Sequence, residues 1–387
     1  MSIFLQILFW MAAFIIAWAN VGYPLTIILI GKIINKKNRK LDNYEPTVTI
    51  MIVAHNEEKV IEEKLKNVLK VDYPKDKIEI LVSSDNSTDK TNAIVEKFIK
   101  SHRNSNIRLY KVQERKGKTN AQNEAAKTVK SEILVMTDAN AMLKEDSIKE
   151  IVSSFDENVA YVSGKLMYSN SNDNLTSNTE NVYWDLDTKV REIESNIQTI
   201  TAGNGAIYAC KTNDYHNFNP IQCHDSAMPL YYSLQGKRAI ANHNAIAYEK
   251  AGENDGDEFK RKVRMSRIVL GSILPSFKIL NVFKYKWFTF FYLGHRTSRY
   301  LLWLSHIVFF ITNLFLLNTS YIYIVTFIMQ MIIYLLAIAK NIFNINNKVF
   351  NFCSYYSMTI IAQFIGVFKT ITGQNKPFWE KAESTRW

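Results

Sequence analysis

Cysteine is scarce: Cys210, Cys223 and Cys353 are the only three in 387 residues, and they are scattered. No two stand at metal-ligand spacing, so neither a disulfide framework nor a zinc site is indicated, and a reducing compartment fits. Charge is missing from the start of the chain, where no charged side chain precedes Lys32. A cleavable signal peptide would want a charged start, a shorter apolar centre and a small-residue cleavage site. The run instead exceeds what a bilayer's hydrocarbon thickness demands and reads as a membrane-spanning anchor, since so long an uncharged stretch is uncommon as a buried core helix. Acidic residues are absent from the C-terminal apolar runs, which leaves a stand-alone transporter pore without an obvious ion or substrate path. No aromatic-basic recognition module is present either. The formal net charge of +11 is therefore not assigned to nucleic acid. The basic residues crowd beside membrane segments, where anionic lipid headgroups are the expected partner.

What is present begins with an ordinary hydrophobic fraction of 47%, so the membrane portion must be concentrated locally. Lys32, Lys36, Lys37, Arg39 and Lys40 follow the first span, and short basic flanks stay cytoplasmic, which places the middle of the chain in the cytosol. Apolar runs at about 300–317 and 320–339 each approach the length of one crossing and together predict a helical hairpin. The stretch "YYSMTIIAQFIGVFKTITG" is weaker, and Lys376, Lys381 and Arg386 behind it prefer the cytoplasm; a re-entrant or interface-lying segment is expected there. The resulting division is an anchor over 1–34, a cytosolic domain over 35–256, amphipathic interface helices over 257–297 and a C-terminal transmembrane region over 298–387. The whole reads as an integral protein of the cell membrane.

Between about 45 and 250, β-branched runs alternate with helical stretches. "TVTIMIVAHNEE", "KIEILVSSDNSTDKT", "IRLYKV" and "EILVMTDA" carry the buried-strand signal, and "EEKVIEEKLKNVLK", "KTNAIVEKFIK" and "KTNAQNEAAKTVK" carry helical periodicity. Such alternation predicts an open, largely parallel sheet whose ligands bind at the carboxyl ends of the strands. Polar residues stand where those strands stop: Asn56 and Glu57, then Asp85, then Asp138 and Asn140. A carboxylate on that rim suits hydrogen bonds to a ribose or base, or a hard divalent cation carrying phosphate oxygens. Singly, each has an ordinary explanation; Asp85 with Asn86, Ser87 and Thr88 is also a plain turn and helix cap.

The ordered set "VTIMIVAHNEE", "SSDNSTDKT", "KGKTNAQNEA", "MTDAN", "GNGAIYAC", "HDSAMP" and "RKVRM" resembles the family 2 glycosyltransferases, in their membrane-anchored branch of cellulose, hyaluronan and biofilm polysaccharide synthases. The resemblance covers most of the chain and implies a GT-A type, Rossmann-like α/β domain flanked by transmembrane helices. It implies that Ala54, Asn56 and Glu57 line a nucleotide pocket, that Asp85 holds the uracil or ribose, and that Gly117 and Lys118 lie near the diphosphate. Asp138 matches the first Asp of the family's Asp-X-Asp motif, which implies Mg2+ or Mn2+ as a divalent cofactor. Gly203, Asn204 and Gly205 fall on the loop for sugar and acceptor, Asp225 on the general base, and Arg261 and Arg264 on the diphosphate-contacting motif. Three departures stand out: Ser84 precedes Asp85 where many relatives have a second Asp, Asn140 closes the metal motif and should weaken metal affinity, and Met265 replaces the Trp of processive synthases. The last makes addition of one sugar per encounter as plausible as chain growth. The segment 258–267 reads equally as a basic amphipathic helix on the membrane, with Phe259, Val263, Met265 and Ile268 towards lipid.

The expected activity is inverting transfer of a hexose or N-acetylhexosamine unit from a nucleotide diphosphate donor, with UDP first in line, to a polysaccharide or lipid-linked acceptor. Other subunits of an exopolysaccharide machine are possible partners. A non-catalytic, nucleotide-sugar-binding scaffold subunit is the alternative, kept alive by Asn140 and opposed by Asp138 and Asp225. His224 and His243 read as ordinary rim or surface residues. Lys165 and Trp184 are candidates to border the acceptor groove, although helical packing explains Trp184 equally well.

Overall fold

The computed structural model describes residues 2–41, 43–169, 175–250, 255–345 and 347–378. Helices α1 (Ser2–Ala17) and α2 (Tyr23–Ile34) join through a π turn at Trp18–Gly22 into one apolar helix of 32 residues, long enough to cross a membrane. Pro24 lies in the first turn of α2, where its missing N–H breaks the ladder just after the π turn. Asn35 closes α2 in the left-handed conformation, φ 41°.

The domain that follows is built on one eight-stranded sheet. Strand β1 (Val48–Ala54) is buried along its whole length, and its side chains alternate between two cores. Val48, Ile50, Ile52 and Ala54 face one apolar cluster while Met51 and Val53 face the other, as the two-residue period of a strand requires. Helix α3 (Ile61–Leu69) covers the first face through Ile61, Leu65 and Val68. Strand β2 (Ile78–Ser84), helix α4 (Thr91–Ser101), strand β3 (Ile107–Lys111), helix α5 (Lys118–Ala126) and strand β4 (Ile133–Asp138) complete the strand-helix alternation. Burial of each Val, Ile or Leu side chain in these cores contributes about 1.5–3 kcal/mol, which is what holds the strand ends rigidly in register.

Beyond β4 come β5 (Met142–Leu143), α6 (Ser147–Val152), β6 (Val159–Tyr168), α7 (Leu175–Ile197), β7 (Ile207–Lys211), α8 (His224–Leu234) and β8 (Arg238–Glu249). The spatial order is β3-β2-β1-β4-β7-β6-β8-β5. The half β3-β2-β1-β4 is parallel, as the sequence predicts; β7 is antiparallel to β4 and β6, so the sheet as a whole is mixed. The parallel half brings the ends of β1, β2 and β4 to one rim. The side chain of Trp184 lies outside the described residues.

Helix α9 (Asp255–Met265) leads into short helical pieces α10 (Val269–Ser272), α11 (Val282–Tyr285), α12 (Trp287–Phe291) and α13 (Ser298–Tyr300), then α14 (Leu302–Leu316), α15 (Tyr321–Phe343) and α16 (Lys348–Ile371). Of the expected hairpin, α15 is long and apolar enough to cross a membrane, whereas α14 reaches that length only together with Trp287–Tyr300, from which it is bent by 59°. The expected re-entrant or interface-lying segment is part of the 24-residue helix α16, which packs beside α15 and α9. Lys381 and Arg386 lie outside the described residues.

The domain is fastened to the membrane helices through α7. Tyr23 and Ile27 of α2, Val190 and Ile197 of α7 and Phe291 of α12 form one buried cluster. Beside it, Asp187 takes the Arg191 Nε at 2.7 Å, the His295 Nε2 at 3.0 Å and the Arg299 guanidinium. His295 Nδ1 meets Glu194 Oε1 at 2.7 Å, and the Tyr23 hydroxyl donates to the same oxygen at 2.6 Å.

Candidate active site

Each strand end delivers a polar group because a turn must follow, and these turns are tied to one another. Asn56 follows β1 in the left-handed conformation, φ 55°. Its carboxamide oxygen accepts from the Thr88 N–H at 2.8 Å, and its own N–H donates to Ser87 Oγ at 3.2 Å. The next N–H, of Glu57, donates to Thr91 Oγ1 at 2.8 Å. Asn56 and Glu57 therefore lock the turn after β1 onto the turn after β2. Asp85 is 3% exposed and accepts the Lys116 N–H at 3.1 Å and the Gly117 N–H at 2.9 Å, one on each carboxylate oxygen. It shapes the turn that precedes α5. The φ of +93° at Gly117 needs glycine, and a Cβ there would stand 2.5 Å from the carbonyl oxygen of Pro377.

That turn aims Lys118, the first residue of α5, at the end of β4, where its ammonium is ion-paired with Asp138. Burial alone would lower the Lys118 pKa, but Asp138 beside it, with Asp225 further off, holds it above its ordinary value. A Cβ added to Gly205 would lie 3.4 Å from the Lys118 ammonium and 3.7 Å from Asp138 Oδ2, so the 203–205 loop closes directly over this pair. Asn204 braces the loop rather than pointing into the open: its N–H donates to Ser163 Oγ at 3.1 Å, its amide to the Gly164 carbonyl, and its oxygen accepts from Ala206 N–H at 3.1 Å. From α7, Arg191 donates to the carbonyls of Ala202 at 3.1 Å and Gly203 at 2.7 Å, which couples this loop to the charged cluster around Asp187.

Asp225 lies in the first turn of α8, inside the helix rather than capping it, and its carbonyl accepts from Gly203 N–H at 2.7 Å. Burial raises the Asp225 pKa, while Lys118 and Arg296 act to lower it and Asp138 adds to the rise. One of its oxygens accepts the Ser226 N–H at 3.0 Å, and a partly buried carboxylate more basic than usual is suited to accept a proton. Arg296, which no sequence pattern singles out, donates to Ser226 Oγ at 3.3 Å. On α9, burial and the neighbouring Arg261 draw the Arg264 pKa down to about 10, with Asp138 and Cys223 opposing. Arg261 itself makes a two-pronged pair with Glu258 at 2.6 and 2.8 Å. The structure thus brings together Asp85, Lys118, Asp138, Gly203, Gly205, Asp225 and Arg264, while Asn56, Asn204 and Arg261 make hydrogen bonds that brace the turns and the helix around them.

His224 is not a rim or surface residue. It is buried, its ring nitrogens face the Tyr208 hydroxyl at 3.3 Å and the Tyr215 hydroxyl at 3.4 Å, and burial drops its pKa to about 3, so it is a neutral core histidine. Sequence reasoning also misses Lys64, which is fully buried beneath β4 and donates to Thr137 Oγ1 at 2.9 Å and to the Ala141 carbonyl. The signal was available: Lys64 is in phase with Ile61, Leu65 and Val68 on the buried face of α3. Arg267 is a third, donating to the carbonyls of Lys376 at 3.0 Å and Pro377 at 3.2 Å and so holding the segment after α16 against the turn at Gly117.

Among the described residues no cluster of three or more His, Cys, Asp or Glu could enclose a metal ion. Asp138 and Asn140 nevertheless offer oxygen donors of the kind hard divalent cations take, and the rest of a coordination shell could come from phosphate oxygens and water.

Residues 49–213 match the model of glycosyl transferase family 2, and residues 133–339 match that of glycosyl transferase family group 2. The chain is 28% identical over 178 residues to a beta-monoglucosyldiacylglycerol synthase of Nostoc sp., a match covering 45% of this chain and 37% of that protein. It is 27% identical over 111 residues to the poly-beta-1,6-N-acetyl-D-glucosamine synthase of Staphylococcus epidermidis, covering 29% of this chain and 26% of that one. The chain thus spans between about a quarter and little more than a third of the length of these curated relatives. Among solved structures, the mannosyltransferase PcManGT of Pyrobaculum calidifontis, in complex with GDP-Man and Mn2+, superposes with a TM-score of 0.74 at 21% identity, over 95% of this chain and 100% of that one. That likeness is one of fold, the GT-A arrangement with helices at both ends of the chain.

Proposed function

The chain belongs to glycosyltransferase family 2, and from that premise we propose that it moves a sugar, with inversion, from a nucleotide-diphosphate sugar to a polysaccharide or lipid-linked acceptor at the cytosolic face of the cell membrane. The observation that carries the reading is the placement of Asp225, more basic than an ordinary aspartate, beside the loop that closes over Lys118 and Asp138. A UDP-hexose or UDP-N-acetylhexosamine donor is the first choice, in keeping with the N-acetylglucosamine polymer made by the Staphylococcus relative. The GDP-Man complex of the Pyrobaculum protein makes a GDP donor the natural comparison.

In this reading Asp85 keeps the Lys116–Gly117 turn in shape for the nucleotide, and Lys118 and Arg264 meet the diphosphate with positive charge that grows in value as the bond to the sugar breaks. Asp225 removes the proton of the acceptor hydroxyl as that oxygen attacks the anomeric carbon; a single displacement of this kind inverts the centre. Asp138 and Asn140 would hold a divalent cation, Mg2+ or Mn2+, which when bound supplies further neutralisation of the diphosphate. The Pyrobaculum protein's Mn2+ supports that assignment.

The test is release of nucleoside diphosphate by the purified protein against a panel of UDP- and GDP-sugars, with Mn2+, Mg2+ or chelator, beside Asp225→Asn. We expect cation-stimulated turnover with one donor and a loss of about 10²–10⁴-fold on removing the base, with donor affinity kept. Full activity of Asp225→Asn would overturn the assignment of the base, and turnover unaffected by chelator that of the cation.

A further inference from the structure

Helix α12 runs into a π turn at Tyr292–Thr297, and that turn divides its side chains between two neighbours. His295 and Arg299, four residues apart, face α7: His295 meets Asp187 and Glu194, and Arg299 pairs with Asp187. Arg296 and Tyr300, each one place further on, share a different face, with the Arg296 guanidinium 5.0 Å from the centre of the Tyr300 ring. The turn is pinned from behind, since a Cβ on Gly294 would stand 2.4 Å from the Tyr23 ring of α2. Arg296 is therefore presented from a fixed element.

Its surroundings show which group it serves. Among the described residues its guanidinium makes one hydrogen bond, from Nη2 to Ser226 Oγ at 3.3 Å, and Ser226 gives its own N–H to Asp225 Oδ1 at 3.0 Å. Two carboxylates act on Arg296 through space, Asp187 and Asp225. Asp187 is already met directly by Arg191, His295 and Arg299, whereas Asp225 is linked to Arg296 through Ser226. Around Asp225 stand Lys118 of α5, Asp138 at the end of β4, Tyr161 of β6, Tyr208 of β7, Cys223 just before α8, and Tyr300. Phenols and thiols are uncharged at neutral pH, so the charges facing Asp225 are the cations Lys118 and Arg296 and the anion Asp138. Lys118 is itself ion-paired with Asp138.

We infer that Arg296 is a positioning residue for the proposed base: from the π turn it grips the first turn of α8 through Ser226 and stands as the counter-charge of Asp225 on the side of the membrane helices. A carboxylate placed in this cleft with no such cation would hold its proton close to neutral pH and could not take another from an acceptor hydroxyl. Arg296 keeps the carboxylate open without occupying it.

The inference rests on the reading of Asp225 as the base, so Asp225→Asn is measured beside it. The experiment follows nucleoside diphosphate release by the full-length protein from about pH 5 to pH 9, where the acid limb of the profile reports the base. Expected for Arg296→Gln is an acid limb moved upward by about one pH unit, the low end of what a neighbouring opposite charge does to a carboxylate, with donor affinity kept. Arg296→Lys retains the charge and should return the limb to its place. A role confined to folding would lower turnover at every pH and leave the limb where it was. Ser226→Ala, a milder change that cuts the link, should lower the plateau rate severalfold. An unmoved limb in Arg296→Gln, with Asp225→Asn inactive, would sink the inference and leave the base standing. A limb displaced as far by Lys as by Gln, or an unaltered plateau in Ser226→Ala, would overturn it too. Full turnover of Asp225→Asn would remove the base and this inference together.

Discussion

A single side chain can carry a cost that the fold tolerates for the sake of position. Lys64 is such a residue: burial brings its ammonium from 10.5 down to about 7, against the pull of Asp138 and Glu249. Between those two values the unfolded chain binds a proton that the folded chain has released, so stability rises with pH across the window, and the cost is fully present below about 7. In Lys64→Met the slope contributed by this group disappears. The expected outcome is a melting temperature that climbs for the unaltered protein between pH 7 and 9 while the difference from Lys64→Met shrinks. A constant difference would show that Lys64 does not titrate there. The lysine's partners, Thr137 and the Ala141 carbonyl, flank Asp138, so the same variant should loosen the residue on which cation binding is proposed to depend.

Between elements, the joint made by α7 matters most, because the same helix contacts α2, the bent helix at Trp287–Tyr300 and the loop over the site. Burial opposes ionisation of Asp187, yet Arg191 and Arg299 hold its carboxyl well below the usual range. Asp187→Asn removes the buried carboxylate that two half-buried guanidinium groups face and should cost about 3 kcal/mol, seen in thermal unfolding. Arg191 would lose its anchor, and KM for the acceptor should rise more than KM for the donor. The helical packing of α7 was legible in the sequence, but its polar partners were not, because Tyr23 and His295 are far along the chain from Asp187 and Glu194 and each is unremarkable alone. The parallel strands were legible for the opposite reason. Apolar runs such as Val48–Ala54 are short, local and bounded by turn residues, and their ends dictate where Asp85 and Asp138 must stand. The mixed half of the sheet, with β7 antiparallel to β6 and β8 parallel to β6, was harder to read, since its pairing depends on contacts between distant segments. For the site residues, position was legible but bonding was not: Asn56, Asn204 and Arg261 have the expected residue types, and their partners give them bracing roles.

For the molecule as a whole, the positive-inside argument makes a prediction about sidedness. With the segment after α2 in the cytosol, the loop between α14 and α15 lies on the other face. A cysteine placed at exposed Lys37 should react with a membrane-impermeant maleimide only in inverted vesicles, and one placed at exposed Asn318 only in intact cells. The reverse pattern would move the catalytic domain to the outside, where nucleotide sugars are not supplied. Two of the native cysteines, Cys210 and Cys353, are buried, which keeps the background of such labelling low.

The contact between Gly117 and Pro377 has a meaning in the order of biosynthesis. The turn at Lys116–Gly117 leaves the ribosome early, but the carbonyl that lies against it, the Phe378 ring 4.7 Å from the Arg115 guanidinium, and the Lys376 and Pro377 carbonyls gripped by Arg267 are all made after α16. A nascent chain therefore carries this turn uncovered until the segment after α16 has been made. The turn reaches these surroundings only when translation has passed residue 378, so the proposed donor site takes its shape after helix α16 has been made.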